Sequence, residues 1–217
     1  MVDSSPIPIA LRPEKSRGHY ARTQDTRARI LEAALAEAVE SGFQKTSVAK
    51  IATRAGVAVG VLNYHFGSKR ELLQGVMTSQ FEDLMSRFDL SPPEEHGDFF
   101  EHERTNLLAY LEFLQANPNY IRLVEEVRQH APEMYQHGIE LHVEHFVKRV
   151  GYWIERGILR EMDEQKIRAQ GHFMLGAYLF FDRLIESKPY PGNELVADAF
   201  INFIRQGLGS NNKTENT

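Results

Sequence analysis

Residues 46–71 read TSVAKIATRAGVAVGVLNYHFGSKRE, and this stretch decides the fold of the first part of the chain. Ser47 is a suitable N-cap, and Val48 and Ile51 follow it at helical spacing. Gly56 stands where a left-handed residue would end that helix, because glycine adopts positive φ without steric cost. The pattern therefore predicts a short helix, a tight turn at Gly56 and a second helix after it.

The second helix is expected from about Ala58 to Tyr64, and a further helix begins soon afterwards. Ser68 can cap this further helix, and Glu71 stands three residues later, as in a capping box. Two helices joined by a short turn that contains glycine form a helix-turn-helix unit. Such a unit places its second helix in the major groove of DNA.

The same stretch resembles the DNA-binding domain of TetR-family transcriptional regulators. The resemblance covers roughly residues 26–76 and rests on three strings. These are Ala55-Gly56-Val57, Gly60-Val61-Leu62-Asn63-Tyr64-His65-Phe66-Gly67-Ser68-Lys69 and Leu72-Leu73. Elsewhere the chain is similar to the family only in being long, helical and poor in motifs. The resemblance implies a homodimer that binds an operator in double-stranded DNA and responds to a small-molecule effector.

Composition limits the function classes. The 217 residues include no cysteine, which excludes disulfides, thiolate metal sites and cysteine nucleophiles. Residues 1–13 do not have the pattern of a signal peptide. The longest apolar run, residues 173–181, is far shorter than the ~20 residues that cross a bilayer. We therefore expect a cytoplasmic protein with no membrane partner, associated with the bacterial nucleoid when it is bound to DNA.

Charge is divided unevenly along the chain. Residues 1–70 carry eleven Lys/Arg and six Asp/Glu, a balance of +5, whereas residues 71–217 carry fourteen and twenty-four, a balance of −10. A basic first third on an acidic body suits a protein that presents one end to a polyanion. The alternative is an uneven surface charge without a role.

Three parts are predicted. Residues 1–22 form a flexible basic arm that enters the minor groove or follows phosphates, or else a loose terminus. Residues 23–83 form the DNA-binding domain, with the helix-turn-helix at about 46–65, and residues 84–217 form the effector-binding and dimerisation domain. The fold class is all-α with about nine helices. Outside the motif, helices are expected over about 26–41, 68–88, 98–116, 117–130, 132–157, 163–187 and 193–208.

The DNA contacts follow from the resemblance. Asn63 is the residue suited to a bidentate contact with adenine, and Val59 or Val61 would touch thymine methyl groups. Core packing is the alternative for Val61. Because this helix has no arginine for guanine, we expect discrimination through thymine, DNA shape and the arm. Lys69 and the first N–H groups of its helix would form an anion site. The full set of expected contacts is Thr46, Ser47, Lys50, Ala58, Val59, Gly60, Val61, Asn63, Tyr64, His65 and Lys69, with Arg54 as an addition.

The body offers two further sets of candidates. The expected effector pocket comprises Phe81, Met85, Phe88, Phe113, Tyr120, Val124 and Trp153, for which ordinary core packing is the alternative. By resemblance, the last two long helices pair with their copies across a two-fold axis as a four-helix bundle. The expected interface comprises Phe173, Ala177, Phe181, Val196, Phe200 and Phe203, for which an intramolecular core is the alternative.

The chain shows no catalytic constellation, so we expect neither an enzyme nor a cofactor. The leading hypothesis is a transcriptional regulator, in this family most often a repressor, which an effector releases from a near-palindromic operator. His142 and His145 stand at i, i+3 and would supply half of a transition-metal site. A metal-responsive or constitutive regulator is therefore the alternative, and an all-α enzyme is a more distant one.

Overall fold

The computed structural model describes residues 15–88 and 97–208, with side chains from residue 23 onward. Within these ranges the chain is helical and contains no β-strand, which confirms the all-α fold class. The helices are α1 (Lys15–Ser41), α2 (Val48–Ala55), α3 (Val59–His65), α4 (Lys69–Met85), α5 (Phe99–Ala116), α6 (Tyr120–His130), α7 (Pro132–Glu155), α8 (Glu164–Tyr178), α9 (Phe181–Glu186) and α10 (Asn193–Leu208).

The chain divides into two compact units, residues 1–72 and residues 73–217. We call the first unit the head and the second the body. The boundary between them falls inside α4, so this helix belongs to both units. The division lies eleven residues earlier than the predicted domain boundary at residue 83.

The start of α1 corrects the predicted arm. The helix begins at Lys15, so residues 15–22 are helical rather than part of a flexible segment. These residues contain no proline and no apolar stripe. Hydrophobic periodicity therefore could not predict that these residues are helical, although lysine, arginine and alanine favour helix. The rest of the predicted arm, residues 1–14, lies outside the described residues.

Two boundaries in the body also differ from expectation. The helix expected from Asn117 begins at Tyr120, because Asn117 ends α5 instead: its N–H donates to Phe113 O over 2.8 Å. The helix expected over 163–187 is interrupted after Tyr178, where the N–H of Phe180 bonds to Ala177 O over 3.0 Å in a tightened turn. Gly176 lies two residues before this break, and no proline lies near it.

The head has its own apolar core. α1 packs against α2, and α2 against α3. This core includes six buried apolar residues, whereas Val48 at the start of α2 is half-buried. The buried six are Ile30, Ala34, Ile51, Ala52, Leu62 and Phe66.

The body contains two apolar clusters. The Phe113 cluster consists of Leu84, Leu107, Tyr110, Leu111, Phe113, Leu114, Tyr120, Val124, Phe181, Val196 and Ala197. The Trp153 cluster consists of Phe99, Phe100, Phe146, Val150, Trp153, Leu159, Ile167, Met174, Ile201, Ile204 and Leu208. Both clusters draw on α5 and α10, so each of these helices links the two.

Candidate nucleic-acid interface

The turn between α2 and α3 has the geometry that the sequence indicates. Ser47 caps α2, since its Oγ accepts the N–H of Lys50 over 3.2 Å. Gly56 ends α2 with φ of 65°, in the left-handed region. The guanidinium of Arg29 donates to the carbonyls of Ala55 and Gly56 and so ties α1 to this turn. Sequence reasoning missed Arg29, because nothing in its spacing identifies a partner that lies in another helix.

α3 presents an exposed surface that is almost free of charge. Tyr64 is 80% exposed, Val59 42% and Val61 39%, so the core-packing alternative for Val61 is wrong. Ala58, Gly60 and Asn63 are exposed as well, whereas Leu62 and Phe66 are buried. The helix is thus anchored by its buried side and offers an apolar face with one amide side chain.

The start of α2 contains two of the predicted phosphate contacts. Ser47 and Lys50 are exposed there. Thr46 is only 3% exposed, and its hydroxyl donates to Glu37 Oε2 over 3.2 Å. The hydroxyl holds the loop against α1, which argues against the predicted contact of the Thr46 side chain with DNA.

Arg54 is also held by acidic partners. Its guanidinium lies 3.1 Å from Glu37 and 2.6 Å from Glu40, both on α1. The hydrogen bond from Arg54 lowers the pKa of Glu40 below its usual value. The charge of Arg54 is thus compensated within the head, which argues against it as a phosphate contact.

Lys69 is fixed at the start of α4. Its ammonium donates to the carbonyls of Gln44 and Thr46, each over 2.9 Å, and lies above the ring of Phe43. These contacts tie α4 to the loop that precedes α2. They place a positive charge beside Ser47, and they also make Lys69 part of the structure of the head.

A capping box begins α4 as predicted. The N–H of Glu71 donates to Ser68 Oγ over 3.1 Å, and the Glu71 carboxylate accepts the N–H of Gly67 over 3.3 Å. A carboxylate therefore already lies at this helix N-terminus. This negative charge argues against the anion site predicted at the start of α4, because it would repel a phosphate there.

The residues of the expected effector pocket do not form one group. Phe113, Tyr120 and Val124 are buried in the Phe113 cluster, and Met85 and Phe88 pack against its edge. The other two residues lie elsewhere. Trp153 belongs to the separate Trp153 cluster, and Phe81 is 49% exposed. Periodicity cannot assign aromatic residues to one cluster or the other, since α5 and α10 contribute to both clusters.

The expected dimer interface is partly corrected. Phe173 and Phe203 are 75% and 73% exposed, as an interface would require. Phe181 and Val196 are instead buried in the Phe113 cluster, and Ala177 and Phe200 are half-buried. Two residues outside the expected set are also exposed: Phe180 at 60% and Leu195 at 58%.

No group of three or more His, Asp or Glu side chains placed to hold a metal ion occurs in the described part of the chain. His142 is half-buried whereas His145 is exposed. The metal-responsive alternative therefore gains no support from the positions of these two histidines. In the same described residues, no helix is long and apolar enough to cross a membrane.

Comparisons with known proteins agree with this geometry. Residues 30–76 match the family described as bacterial regulatory proteins, tetR family. The chain is 31% identical over 140 residues to the nucleoid occlusion factor SlmA of Yersinia enterocolitica. The matched segment covers 64% of this chain and 68% of SlmA. It is 38% identical over 77 residues to the HTH-type transcriptional regulator SrpR of Pseudomonas putida, covering 36% of this chain and 35% of SrpR.

The fold is shared with solved structures as well. A TetR family transcription regulator from Marinobacter aquaeolei VT8 superimposes with a TM-score of 0.69 at 20% identity, over 88% of this chain and 99% of that one. The chain belongs to the tetR family of bacterial regulatory proteins. Its match with SrpR spans about a third of that relative's length.

Proposed function

We propose that this protein is a sequence-specific DNA-binding transcriptional regulator of the repressor type. The observation that carries the proposal is α3, a short helix anchored by Leu62 and Phe66 whose other side is exposed. Arg29 and Gly56 fix the turn that precedes it. A helix held in this way is suited to enter a major groove as a rigid element.

Base discrimination is proposed to depend on apolar contacts. α3 carries neither arginine nor lysine, so it lacks the side chains that pair with guanine. Val59 and Val61 would contact thymine methyl groups, and Asn63 would pair with adenine. Ser47 and Lys50 would contact phosphates, with Tyr64 and His65 beside the backbone. We therefore expect an operator rich in A·T pairs where α3 reads it.

Dimerisation is proposed through an apolar face on the last helices, which we call the carboxy-terminal face. It comprises Phe173, Phe180, Leu195 and Phe203, all more than half exposed in the single chain. Large exposed apolar residues concentrated on consecutive elements mark protein interaction sites. A two-fold dimer would present two α3 helices and would require a near-palindromic operator.

Regulation is proposed to come from a small molecule that binds the body. A ligand shifts a conformational equilibrium only when it binds one state more tightly than the other. α4 is the natural element to transmit that preference, since the boundary between head and body falls within it. The effector would favour a dimer whose α3 helices do not match the operator spacing. Catalysis has no part in this proposal, and the protein would act in the cytoplasm.

A second candidate function is favoured by one comparison. The match with SlmA is long, at 140 residues, and that relative is named a nucleoid occlusion factor. We keep a role in nucleoid occlusion as the alternative, because it also needs a DNA-binding head.

Mapping the chromosomal sites bound by the tagged protein separates the two. A regulator should occupy a small number of sites within promoters, and transcription of the adjacent genes should change when the protein is deleted. Sites spread along the chromosome without an effect on adjacent genes would favour nucleoid occlusion. A tagged Asn63→Ala variant provides the control for sites that depend on α3. Absence of any enriched site would refute DNA binding in the cell.

A further inference from the structure

The apolar packing between α1 and α2 uses mostly small side chains. Most of the buried residues of these two helices are alanines: Ala33, Ala34 and Ala38 on α1, and Ala52 and Ala55 on α2. Packed helices keep their register because ridges of side chains fit into grooves of the partner helix. Alanines form only low ridges, so apolar packing alone restrains α2 against sliding along α1 less than large side chains would.

A carboxylate on α1 holds both ends of α2. Glu37 Oε2 accepts the hydroxyl of Thr46 over 3.2 Å, and Glu37 Oε1 lies 3.1 Å from Arg54 Nη1. Thr46 immediately precedes the Ser47 cap of α2, and Arg54 lies in the last turn of this eight-residue helix. Because one side chain is bonded near each end, α2 cannot slide or turn on α1 without breaking at least one of these contacts.

The contacts of Glu37 are shielded from water. The side chain of Glu37 is 12% exposed, and Thr46 is 3% exposed. Hydrogen bonds of a charged group in such a place are strong and directional. Glu40 also binds Arg54, at 2.6 Å, but the side chain of Glu40 is 55% exposed and makes no contact with the loop before α2. Water can replace Glu40 more readily than it can replace Glu37.

The position of α2 determines that of α3. The two helices join through Gly56, and the guanidinium of Arg29 donates to the carbonyls of Ala55 and Gly56. At the other end of α3, the guanidinium of Arg27 lies 5.1 Å from the centre of the Phe66 ring. α1 therefore holds α2, the turn and the residue that follows α3, so a change in how α2 sits on α1 also moves α3.

We infer that Glu37 is a positioning residue for the reading of DNA, which acts through Thr46 and Arg54 and does not itself touch the duplex. It fixes α2 on α1 and so sets the angle at which α3 meets the major groove. Contacts with base edges depend on that angle, whereas non-specific attraction depends mainly on charge and the phosphates. The inference rests on the proposed function in so far as it concerns an operator.

Electrostatics alone predicts the opposite effect. A carboxylate in the head repels the phosphates, so its removal should strengthen binding to every duplex. Two substitutions separate charge from position. Glu37→Ala and Glu37→Gln remove the same charge, but glutamine can still accept from Arg54 and can bond to the Thr46 hydroxyl, which both donates and accepts. Only the alanine variant therefore loses the geometry.

The test compares affinity for two duplexes at one salt concentration. The operator duplex is the one that the wild-type full chain selects from random DNA, and a duplex of scrambled order is the non-specific probe. In fluorescence anisotropy, Glu37→Ala should bind the operator about tenfold more weakly, the effect of one lost hydrogen bond to a charged group, without weaker binding to the scrambled duplex. Glu37→Gln should keep most of the discrimination. Glu32→Ala, at an exposed position of the same helix, should keep all of it.

Thr46→Val tests the route by which Glu37 acts. Valine keeps the shape of threonine but removes the hydroxyl, so Thr46→Val should weaken operator binding less than Glu37→Ala does. Combined with Glu37→Ala it should add little, because both changes remove the same hydrogen bond.

Amide hydrogen exchange without DNA gives a second measurement. Peptides from α2 should exchange faster in Glu37→Ala than in Glu37→Gln, whereas peptides from α5 should not change. Melting curves establish the temperature at which every variant is folded, and both measurements are made below it.

Four results would overturn the inference. Glu37→Ala could discriminate as well as the wild type, or Glu37→Gln could lose as much as Glu37→Ala, which would assign the effect to charge. Additive losses from Thr46→Val and Glu37→Ala would mean that Thr46 contacts DNA independently of Glu37. Unchanged exchange of α2 in Glu37→Ala would mean that Glu37 does not hold this helix. Failure of the wild type to select any duplex would instead refute the proposed function, and the exchange of α2 would still decide whether Glu37 positions it.

Discussion

The Gly56→Ala substitution tests the turn on which the head depends. Gly56 has φ of +65°, a region that costs an L-residue about 1–2 kcal/mol. A Cβ atom at this position would lie 3.0 Å from Arg29 Nη2, so the guanidinium would have to move. It would then weaken its hydrogen bonds to Ala55 O and Gly56 O, each worth about 1 kcal/mol. We expect a loss of about 2 kcal/mol or more in the free energy of unfolding.

Gly60→Ala is the matched control. Gly60 lies in α3, where a Cβ atom would meet nothing within 4 Å, and its φ is not in the left-handed region. Alanine in a helix should be neutral or should stabilise by up to about 1 kcal/mol. Urea denaturation followed by far-ultraviolet circular dichroism measures both variants. If Gly56→Ala lost no more stability than Gly60→Ala, the argument from the left-handed turn and the Arg29 contact would be refuted.

Three further predictions concern DNA reading, assembly and pH. Asn63→Ala should relax preference at one operator position by about 1–3 kcal/mol, measured by competition with single-base variants. Phe173→Glu combined with Phe203→Glu should give monomers in analytical ultracentrifugation, whereas Phe81→Glu, also at an exposed position, should leave the dimer intact. Lowering the pH should destabilise the body through His142. Burial lowers the pKa of His142 in the folded protein to about 4, below the 6.5 of an exposed histidine. Its contribution to stability is therefore fully present above about pH 6.5 and is lost as the pH falls towards 4.

The pH effect of His142 has a defined size and control. The shift corresponds to about 3 kcal/mol between the two limits. The burial of Glu103 acts with the opposite sign, because a raised carboxyl pKa favours folding at low pH. The difference between wild type and His142→Phe isolates the histidine, and His137→Phe should follow the wild type. A His142→Phe curve parallel to that of the wild type from pH 7 to pH 4 would contradict the assignment.

The local elements of the head could be predicted from sequence because their determinants are local. The Ser47 cap, the Gly56 turn and the Ser68–Glu71 box each depend on residues a few positions apart, and all three occur in the structure. The burial of Thr46 could not be predicted because its partner, Glu37, lies on another helix. The exposed or buried state of a polar residue depends on such distant partners, which spacing does not reveal.

The helices of the body could be predicted from the sequence, but the side chains that these helices bring together could not. Gly176, two residues before the break after Tyr178, did not by itself predict it, and beyond the break Phe180 is exposed whereas Phe181 is buried. The ion pair between Glu103 and Arg149 was missed for a related reason. Glu103 and Arg149 each resemble an ordinary surface charge, and only the packing of α5 against α7 brings them together in a buried place.

The central claim is that two copies of α3 read one duplex. Selection of sequences from random duplex DNA by the purified protein, at moderate ionic strength, tests it most directly. We expect enriched sequences with two A·T-rich half-sites in inverted orientation, spaced by about one helical turn or a multiple of it. Enrichment of a single half-site, of guanine-rich sites, or of no sequence at all would contradict it.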